Sequence, residues 1–432
     1  MQSFLGILEP QYYKNFHCTM SACEDTCCSG WGDVVIEQTT YEHYQKSHDI
    51  LLKYLFEKHI AVNEESGSYD AHKPYALVKM EKNTCPFLTD KKLCLIQKRA
   101  GEEALSITCD TYPRSFNVVD GILERSMYVS CPEAAKFILL NKEPMQFEFR
   151  KQKVDVRNHL VPVIDTQNGF DQGKPWHYFN EIRGFVVEVL QNRYYSLGKR
   201  LSIIGDFCKT MEQVSKSESD EEIDRVLAKF MEIVQDEQTV EKIYSREKSN
   251  VRTQLEAMRI LLDFRLKGEN IGQRFFACIN EFMQGLGLLQ QVSLETAAVQ
   301  YEDAYSIFYE PFVKQHEYVL ENYLVNHVFK NVFPFGPQKN AYAAPRSLYE
   351  EYMVMVLQYA LLKTLLIGIM GYHKGKFTAE FMIEVIQIFE KTIGHNISYI
   401  EQALGFIKAA QMDNATGMAI LIKNNNSNFA DQ

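Results

Sequence analysis

The cysteines of this chain are distributed very unevenly. Eight of the ten lie within the first 131 residues, and the rest of the chain holds only Cys208 and Cys278. Thiolates are good ligands for zinc and for iron–sulfur clusters, so clustered thiols in a reducing compartment most often bind metal. The candidate metal ligands are Cys18, Cys23, Cys27, Cys28, Cys85, Cys94, Cys109 and Cys131.

The spacing of these cysteines favours an iron–sulfur cluster over a zinc ribbon. Structural zinc sites use pairs with about two to four residues between ligands. Here eight residues separate Cys85 from Cys94, and fourteen separate Cys94 from Cys109. A cluster of four irons (4Fe–4S) takes four thiolates and can collect them from distant loops. We therefore expect a cysteine-bound cluster, with zinc as the alternative, and the spacing leaves open which four cysteines bind it.

Two cysteines and one histidine stand apart from this framework. Cys208 and Cys278 lie at helical spacing from large apolar residues, so we expect both to pack in the core. His17 adjoins Cys18 and could complete a site with mixed ligands. An ordinary surface or core histidine is the more common case, so His17 is not counted among the expected ligands.

The residues around the cysteines form recognisable motifs. They are Cys18-x4-Cys23-x3-Cys27-Cys28-Ser-Gly30, Thr84-Cys85-Pro86-Phe87, Leu93-Cys94-Leu95, Thr108-Cys109-Asp110-Thr111-Tyr112-Pro113-Arg114 and Ser130-Cys131-Pro132. At these motifs the chain resembles the flagellin lysine-N-methylase family, and more loosely the zinc- or iron-chelating cysteine-cluster domains. The resemblance continues at Gly121–Ser126, at Glu321–Asn326 and at Phe333–Phe335, so it spans most of the chain.

The resemblance implies a cytoplasmic bacterial enzyme that uses S-adenosylmethionine to methylate lysine ε-amines of flagellin. It also implies a cysteine-bound iron–sulfur cluster. Cys23 and Cys27 match the first two positions of the radical S-adenosylmethionine signature, but Gly30 occupies the third. No Gly-x-Gly-x-x-Gly fingerprint of a Rossmann domain is present either. Two alternatives remain open, a non-catalytic zinc- or iron-binding protein and a flagellin-binding adaptor.

Lysine methylation narrows the search for catalytic residues. The ε-amine has a pKa near 10.4, so only about one in 10³ is neutral at pH 7 and a nearby group must favour loss of the proton. Within the family motifs, Asp110, Tyr112 and Glu124 are the candidate catalytic residues, and Arg114 could bind the methionine carboxylate of the cofactor. Each also has a structural interpretation, including an ion pair between Arg114 and Glu124. We expect these residues at the edge of a cleft between the cysteine-rich domain and a helical domain.

Charge and hydropathy exclude several other classes. The 46 basic and 56 acidic side chains give a net charge of −10 without a block of basic residues, which argues against a nucleic-acid ligand. The N-terminal segment lacks the positive region of a secretory signal. The apolar stretch Met353–Gly371 is interrupted by Gln358 and Lys363, which favours a buried helix over a transmembrane span. Peripheral association with a membrane stays possible.

Hydrophobic periodicity predicts a mainly α fold. Residues 1–140 form the cysteine-rich metal-binding domain, 141–175 a small β-hairpin and linker, 176–412 a helical bundle, and 413–432 a flexible tail. The later helices are expected at about 250–267, 271–286, 294–330, 346–372, 377–393 and 396–411, with Pro311 kinking the longest. Ser219 and Glu222 predict a capping box at the start of an earlier helix.

Overall fold

The computed structural model describes residues 2–30, 34–63, 75–156, 163–167, 175–217, 219–268, 271–290, 292–336 and 346–424. The fold is mostly helical with a small amount of strand, as the periodicity predicts. Its strands are β1 Gln2–Phe4, β2 Ile7–Pro10, β3 Val34–Ile36, β4 Ile60–Val62, β5 Ala76–Val78, β6 Arg114–Val119, β7 Ile122–Met127, β8 Phe147–Arg150, β9 Val154–Val156 and β10 Val163–Ile164.

The helices divide between short segments near the cysteines and longer ones after residue 175. The short helices are α1 Gln38–Gln45, α2 Ile50–His59, α3 Leu95–Ala100, α4 Ile107–Thr111 and α5 Pro132–Leu139. The longer set is α6 Phe179–Gln191, α7 Leu197–Val214, α8 Asp220–Gln235, α9 Glu237–Ser245, α10 Val251–Leu266, α11 Gln273–Gly285, α12 Leu294–Ala304, α13 Glu310–Lys330, α14 Leu348–His373, α15 Ala379–Phe389, α16 Ile397–Ala409 and α17 Ala415–Ile422.

The strands predicted as a hairpin after residue 140 form, but they do not pair with each other. β8 pairs antiparallel with β2, so that Phe147 lies opposite Pro10, and β9 pairs antiparallel with β1. The five-stranded sheet has the order β10-β6-β7-β2-β8. Alternation of apolar residues identifies a strand, but partner choice depends on distant hydrogen bonds that the local pattern does not encode. The expected hairpin is therefore wrong in its pairing.

A single large core crosses the boundary that the sequence places at residue 140. This core joins Tyr12, Met127 and Ile138 of the N-terminal part to the buried faces of the long helices. A second, smaller core surrounds Phe56 and Phe87 and belongs to the three-stranded sheet β3-β5-β4 and its neighbouring helices. The main sheet thus packs on the helices as part of one hydrophobic interior.

Helix α14 is the central helix of the bundle. It is long and apolar enough to cross a bilayer, yet its whole apolar window is buried inside the protein. Lys363, near its middle, is buried and donates to the carbonyls of Leu421 (3.3 Å) and Ile422 (2.7 Å) and to Oδ1 of Asn424 (2.7 Å). The ammonium of Lys363, which interrupts the apolar run, therefore has its hydrogen-bond partners at the end of α17.

Two local predictions need correction. The region expected as one helix over 294–330 consists of α12, a π-helical turn at Tyr305–Tyr309, and α13, whose backbone departs from helical geometry at His316. Pro311 occupies the first turn of α13, where its missing N–H costs no helical hydrogen bond. The segment after residue 413, expected to be flexible, contains α17 up to Ile422, because Met418, Leu421 and Ile422 are buried. Residues 425–432 lie outside the described part of the chain.

Candidate functional site

Short helices and loops present the candidate ligand cysteines. Cys94 is the N-cap residue of α3, Cys131 is the N-cap residue of α5, and Cys109 lies within α4. Burial raises the pKa of the Cys94 and Cys131 thiols, and the backbone N–H groups in the first turns of α3 and α5 oppose this shift. A helix N-terminus of this kind favours the thiolate form. The remaining candidates, which lie outside the helices α1–α17, are Cys18, Cys23, Cys27, Cys28 and Cys85.

Five of these cysteines form what we call the inner cysteine group: Cys27, Cys28, Cys85, Cys94 and Cys109. The thiol of Cys28 hydrogen-bonds with those of Cys27 and Cys85. The backbone amide of Cys85 also donates to the carbonyl of Cys28 over 2.8 Å. Cys94 interacts electrostatically with Cys27 and Cys28, and Cys109 interacts with Cys94 and Cys27. Loops more than 50 residues apart in sequence (27–28 and 85–94) thus converge.

The other three candidates, Cys18, Cys23 and Cys131, form the outer cysteine group. Cys131 interacts electrostatically with Cys23 and Cys18. Cys23 also interacts with Cys27, so the two groups adjoin. Both Cys208 and Cys278 are buried in the main core among apolar helix residues, as predicted from their helical spacing.

A raised pKa keeps six of the thiols protonated at pH 7: those of Cys23, Cys27, Cys28, Cys94, Cys109 and Cys131. The hydrogen bond with Cys28, followed by burial, raises the pKa of the Cys27 thiol. Burial raises the pKa of Cys109 and of Cys131 to about 11. Both Cys27 and Cys109 are nevertheless exposed at the surface. Loading such a site with metal would release protons.

The donor chemistry of the cysteine groups fits a thiolate-bound metal group, because the neighbours of these thiols are mainly other thiols. Ligating geometry is not reached. In the part of the chain that the structure describes, no three His, Cys, Asp or Glu side chains surround one point at metal-binding distances. The arrangement brings the ligand types together without closing them around an ion.

A hydrogen-bonded chain of three side chains lies beside the outer cysteine group. The hydroxyl of Tyr112 is 3.0 Å from Oγ of Ser130, which is 2.6 Å from Nε2 of His395. The ring of Tyr128 packs against His395 at 4.7 Å between centroids, and the ammonium of Lys330 lies 4.7 Å from the centre of the Tyr128 ring. Burial, followed by the charges of Lys330 and Lys391, lowers the pKa of His395 to about 3, so its ring is neutral at pH 7.

The other sequence candidates have different surroundings. Asp110 follows Cys109 in α4 and is half-buried. The guanidinium of Arg114 lies over the ring of Phe16 at 5.5 Å rather than against Glu124. Glu124 is buried in β7, and both of its oxygens accept hydrogen bonds from Arg183. The structure therefore brings Tyr112 to the junction with the helices and leaves Glu124 inside a structural ion pair.

Sequence reasoning missed His395, Ser130 and Lys330 at this junction. Ser130 lies next to Cys131 in one of the cysteine motifs, and this position was the only indication in the sequence that any of the three residues belongs to the site. His395 and Lys330 lie near helix ends, without any spacing pattern that marks them, and only the fold brings them to Tyr112 and Tyr128.

The distant motif at residues 321–326 ties the helices to the N-terminal part. Asn326 accepts a 2.5 Å hydrogen bond from Tyr12 and donates to the carbonyl of Met127, while Asn322 donates to the carbonyl of Asn141. Glu321 pairs with Arg193 and with the buried Arg200. Glu321, Asn322 and Asn326 are buried, and each makes at least one hydrogen bond, although Oδ1 of Asn322 has no hydrogen-bond partner. Buried polar groups of this kind fix how two surfaces pack.

Comparisons with known proteins cover nearly the whole chain. Two curated proteins named Lysine-N-methylase, from Salmonella choleraesuis (strain SC-B67) and Salmonella typhimurium (strain LT2), are each 23% identical over 401 residues, 91% of this chain and 92% of theirs. The flagellar biosynthetic protein FliU of Salmonella muenchen is 31% identical over 149 residues, 34% of this chain and 85% of its own. No solved structure matches significantly. The family model of the FliB lysine N-methylase C-terminal domain matches residues 183–421, and the chain therefore belongs to the flagellin lysine-N-methylase family.

Proposed function

We propose that this protein is a cytoplasmic methyltransferase that transfers methyl groups from S-adenosylmethionine to lysine ε-amines of flagellin. The observation that carries the proposal is the likeness, over 91% of the chain, to two proteins named Lysine-N-methylase. The name of the FliU relative adds a flagellar association. Flagellin is the proposed acceptor because the cysteine motifs resemble those of the flagellin lysine-N-methylase family, to which the chain belongs.

A second part of the proposal is that the cysteine groups bind an iron–sulfur cluster. The inner cysteine group contains five thiols in mutual contact or electrostatic interaction, one more than a four-iron cluster requires. Zinc is the alternative metal for the same thiols. When bound, such a cluster supplies a redox-active and Lewis-acidic centre. The wide separation of the ligands in sequence and their convergence in space support the cluster over a zinc ribbon.

Side chains at the junction between the cysteine-rich part and the helices would then bind the acceptor lysine. Tyr112, the C-cap residue of α4, is proposed to hold the ε-amine and favour its neutral form, together with Asp110, which lies in the same helix beside Cys109. Ser130 and His395 orient the Tyr112 hydroxyl through the hydrogen-bonded chain. Arg114, which directly follows Pro113 in the same motif, remains the proposed partner of the cofactor carboxylate.

The experiment is a methyl-transfer assay with anaerobically purified protein. Radiolabelled S-adenosylmethionine and flagellin are incubated with wild-type protein, and iron, zinc and acid-labile sulfide are measured on the same sample. We expect labelled flagellin and about four irons per chain. Metal without transfer would favour the non-catalytic metal-binding protein, and flagellin binding without transfer would favour the adaptor.

Matched cysteine variants connect the metal to the activity. The double variant Cys94→Ala/Cys109→Ala leaves three thiols in the inner cysteine group, fewer than a four-iron cluster requires, and should lose both iron and methyl transfer. Cys278→Ala removes a buried core thiol and should keep both, at a packing cost of about 1 kcal/mol. Loss of iron in Cys278→Ala, or full iron and activity in Cys94→Ala/Cys109→Ala, would contradict the assignment of the inner group.

A further inference from the structure

Three residues of the helical part hold the cysteine-bearing loop through one carboxylate. Asp25 lies between Cys23 and Cys27, and its Oδ1 accepts a 2.7 Å hydrogen bond from Nζ of Lys391. Its Oδ2 accepts from Nε2 of Gln387 at 3.0 Å and lies 3.0 Å from Nη1 of Arg274. Together these four side chains form what we call the Asp25 clamp.

Two residues of the clamp also hydrogen-bond to the backbone of the loops that carry the cysteines. Lys391 also donates to the carbonyl of Thr26, 3.2 Å away. Gln387 donates to the carbonyl of Ser130 at 2.7 Å, next to Cys131. A single amide thereby fixes the loop of Cys23 and Cys27 relative to Cys131. Gln387 and Lys391 stand four positions apart at the end of α15 and the π-helical turn after it, so that both point to the same side.

Asp25, Gln387 and Lys391 of the clamp are largely sequestered from solvent, whereas 32% of the Arg274 side chain is exposed. Only 8% of the Lys391 side chain and 14% of the Asp25 side chain are exposed. A charge pair in such surroundings is weakly screened, and its cations act strongly on nearby charges. A cluster held by four thiolates carries negative charge, so cations beside it stabilise the ligated state. Groups that orient and tune first-shell ligands in this way commonly change metal affinity about 10–100-fold when they are removed.

We propose that Lys391, Gln387 and Arg274 are positioning residues for the cysteine-bound metal group. They fix the loop of Cys23 and Cys27 against Cys131, and the ammonium of Lys391 places positive charge beside the thiol of Cys27. Arg274 also pairs with Glu384 at 2.8 Å, so its charge is shared between two carboxylates. This inference rests on the cluster in the proposed function and makes the helical part of the chain a component of the metal site. The C-terminal helices thereby determine how firmly the N-terminal cysteines hold metal.

The test compares anaerobically reconstituted variants. Iron release to the Fe²⁺ chelator ferrozine and the reduction potential are measured for wild type, Lys391→Met, Lys391→Arg and Asp25→Asn. We expect Lys391→Met to lose iron about tenfold faster or more. Its potential should fall, because loss of a cation destabilises the more negative reduced cluster, whereas Asp25→Asn should shift the potential upward. Lys391→Arg keeps the charge and should behave like wild type.

The control is Lys199→Met, which removes another lysine with a carboxylate partner, Glu241 at 2.6 Å, in the helical part alone. It should leave iron release and potential unchanged. Equal iron release and equal potential in wild type, Lys391→Met and Asp25→Asn would overturn the inference while leaving the cluster in place. Wild-type protein that binds no iron would overturn both. If Lys391→Met fails to fold, the comparison of Asp25→Asn with Lys199→Met decides by the same criteria.

Discussion

The guanidinium of Arg183 donates two 2.7 Å hydrogen bonds, one to each carboxylate oxygen of Glu124. Both residues are buried, and the guanidinium also lies over the ring of Phe179 at 4.5 Å. The pair joins strand β7 to helix α6 across the boundary that the sequence places at residue 140. A carboxylate with both oxygens engaged in this way is poorly suited to take a proton from a substrate, so we interpret Glu124 as structural.

Glu124→Gln should therefore destabilise the protein rather than disable its chemistry. The variant leaves the buried Arg183 without a countercharge, and breaking a buried ion pair costs about 3–5 kcal/mol. Urea unfolding measures the loss, and methyl transfer per folded molecule should stay at the wild-type level. Glu295→Gln, which breaks an exposed pair with Arg252, is the control and should change stability very little. Unchanged stability with lost activity would restore Glu124 as a catalytic candidate.

Tyr112→Phe separates catalysis from metal binding. The variant removes the hydroxyl that lies 3.0 Å from Ser130, at a stability cost of about 1 kcal/mol, and should keep its iron. If Tyr112 assists loss of the lysine proton, methyl transfer should fall by about 10²-fold or more. Tyr195→Phe is the matched control, since its hydroxyl donates to a backbone carbonyl, that of Val234, within the helical part. Equal activity in the two variants would reduce Tyr112 to scaffold.

The buried Lys363 should make stability depend on pH. Burial lowers the pKa of Lys363 to about 7, against about 10.4 in an unfolded chain. Between these values the unfolded state binds more protons, so the stability contributed at this site rises with pH and is lost as pH falls toward 7. Lys363→Met removes the titration but leaves three acceptors without this donor.

The measurement is the difference in unfolding free energy between wild type and Lys363→Met at pH 7 and at pH 9. The unfolding free energy of wild type should rise by about 2 kcal/mol relative to that of the variant between pH 7 and pH 9. Groups that titrate alike in both proteins cancel in the difference, and pH 9 lies below the range in which tyrosines ionise. A difference that is the same at both pH values would mean that Lys363 keeps an ordinary pKa in the folded protein.

A fragment of residues 1–140 should not fold cooperatively. Cutting there removes β8, the antiparallel partner of β2, and exposes Tyr12, Met127 and Ile138, which pack in the main core. We expect the fragment to bind the dye anilinonaphthalene sulfonate and to lack a cooperative urea transition, with the full chain as control. A sharp unfolding transition in the fragment would establish the cysteine-rich part as an independent domain.

The sequence by itself determined the helices and the chemistry of the cysteines. The apolar period near 3.6 placed α10, α11 and α14–α16 close to their observed bounds, because one buried face is a local property of a helix. At Ser219 half of the predicted capping box forms: the Ser219 side chain accepts from the amide of Glu222, whereas the Glu222 carboxylate accepts from the hydroxyl of Ser217. The crowding of thiols and their surrounding motifs led to the family, since residue type and spacing are written in the chain.

The tertiary structure alone decided which distant groups meet. β8 pairs with β2 although some 140 residues separate them, and Arg183, not Arg114, neutralises Glu124. His395 reaches Ser130, and Lys391 reaches Asp25, across more than 260 positions. Such contacts follow from how a shared core packs and from the need of each buried polar group for a partner. No local period or motif predicts these contacts, so the site at Tyr112, Ser130 and His395 could be identified only from the folded chain.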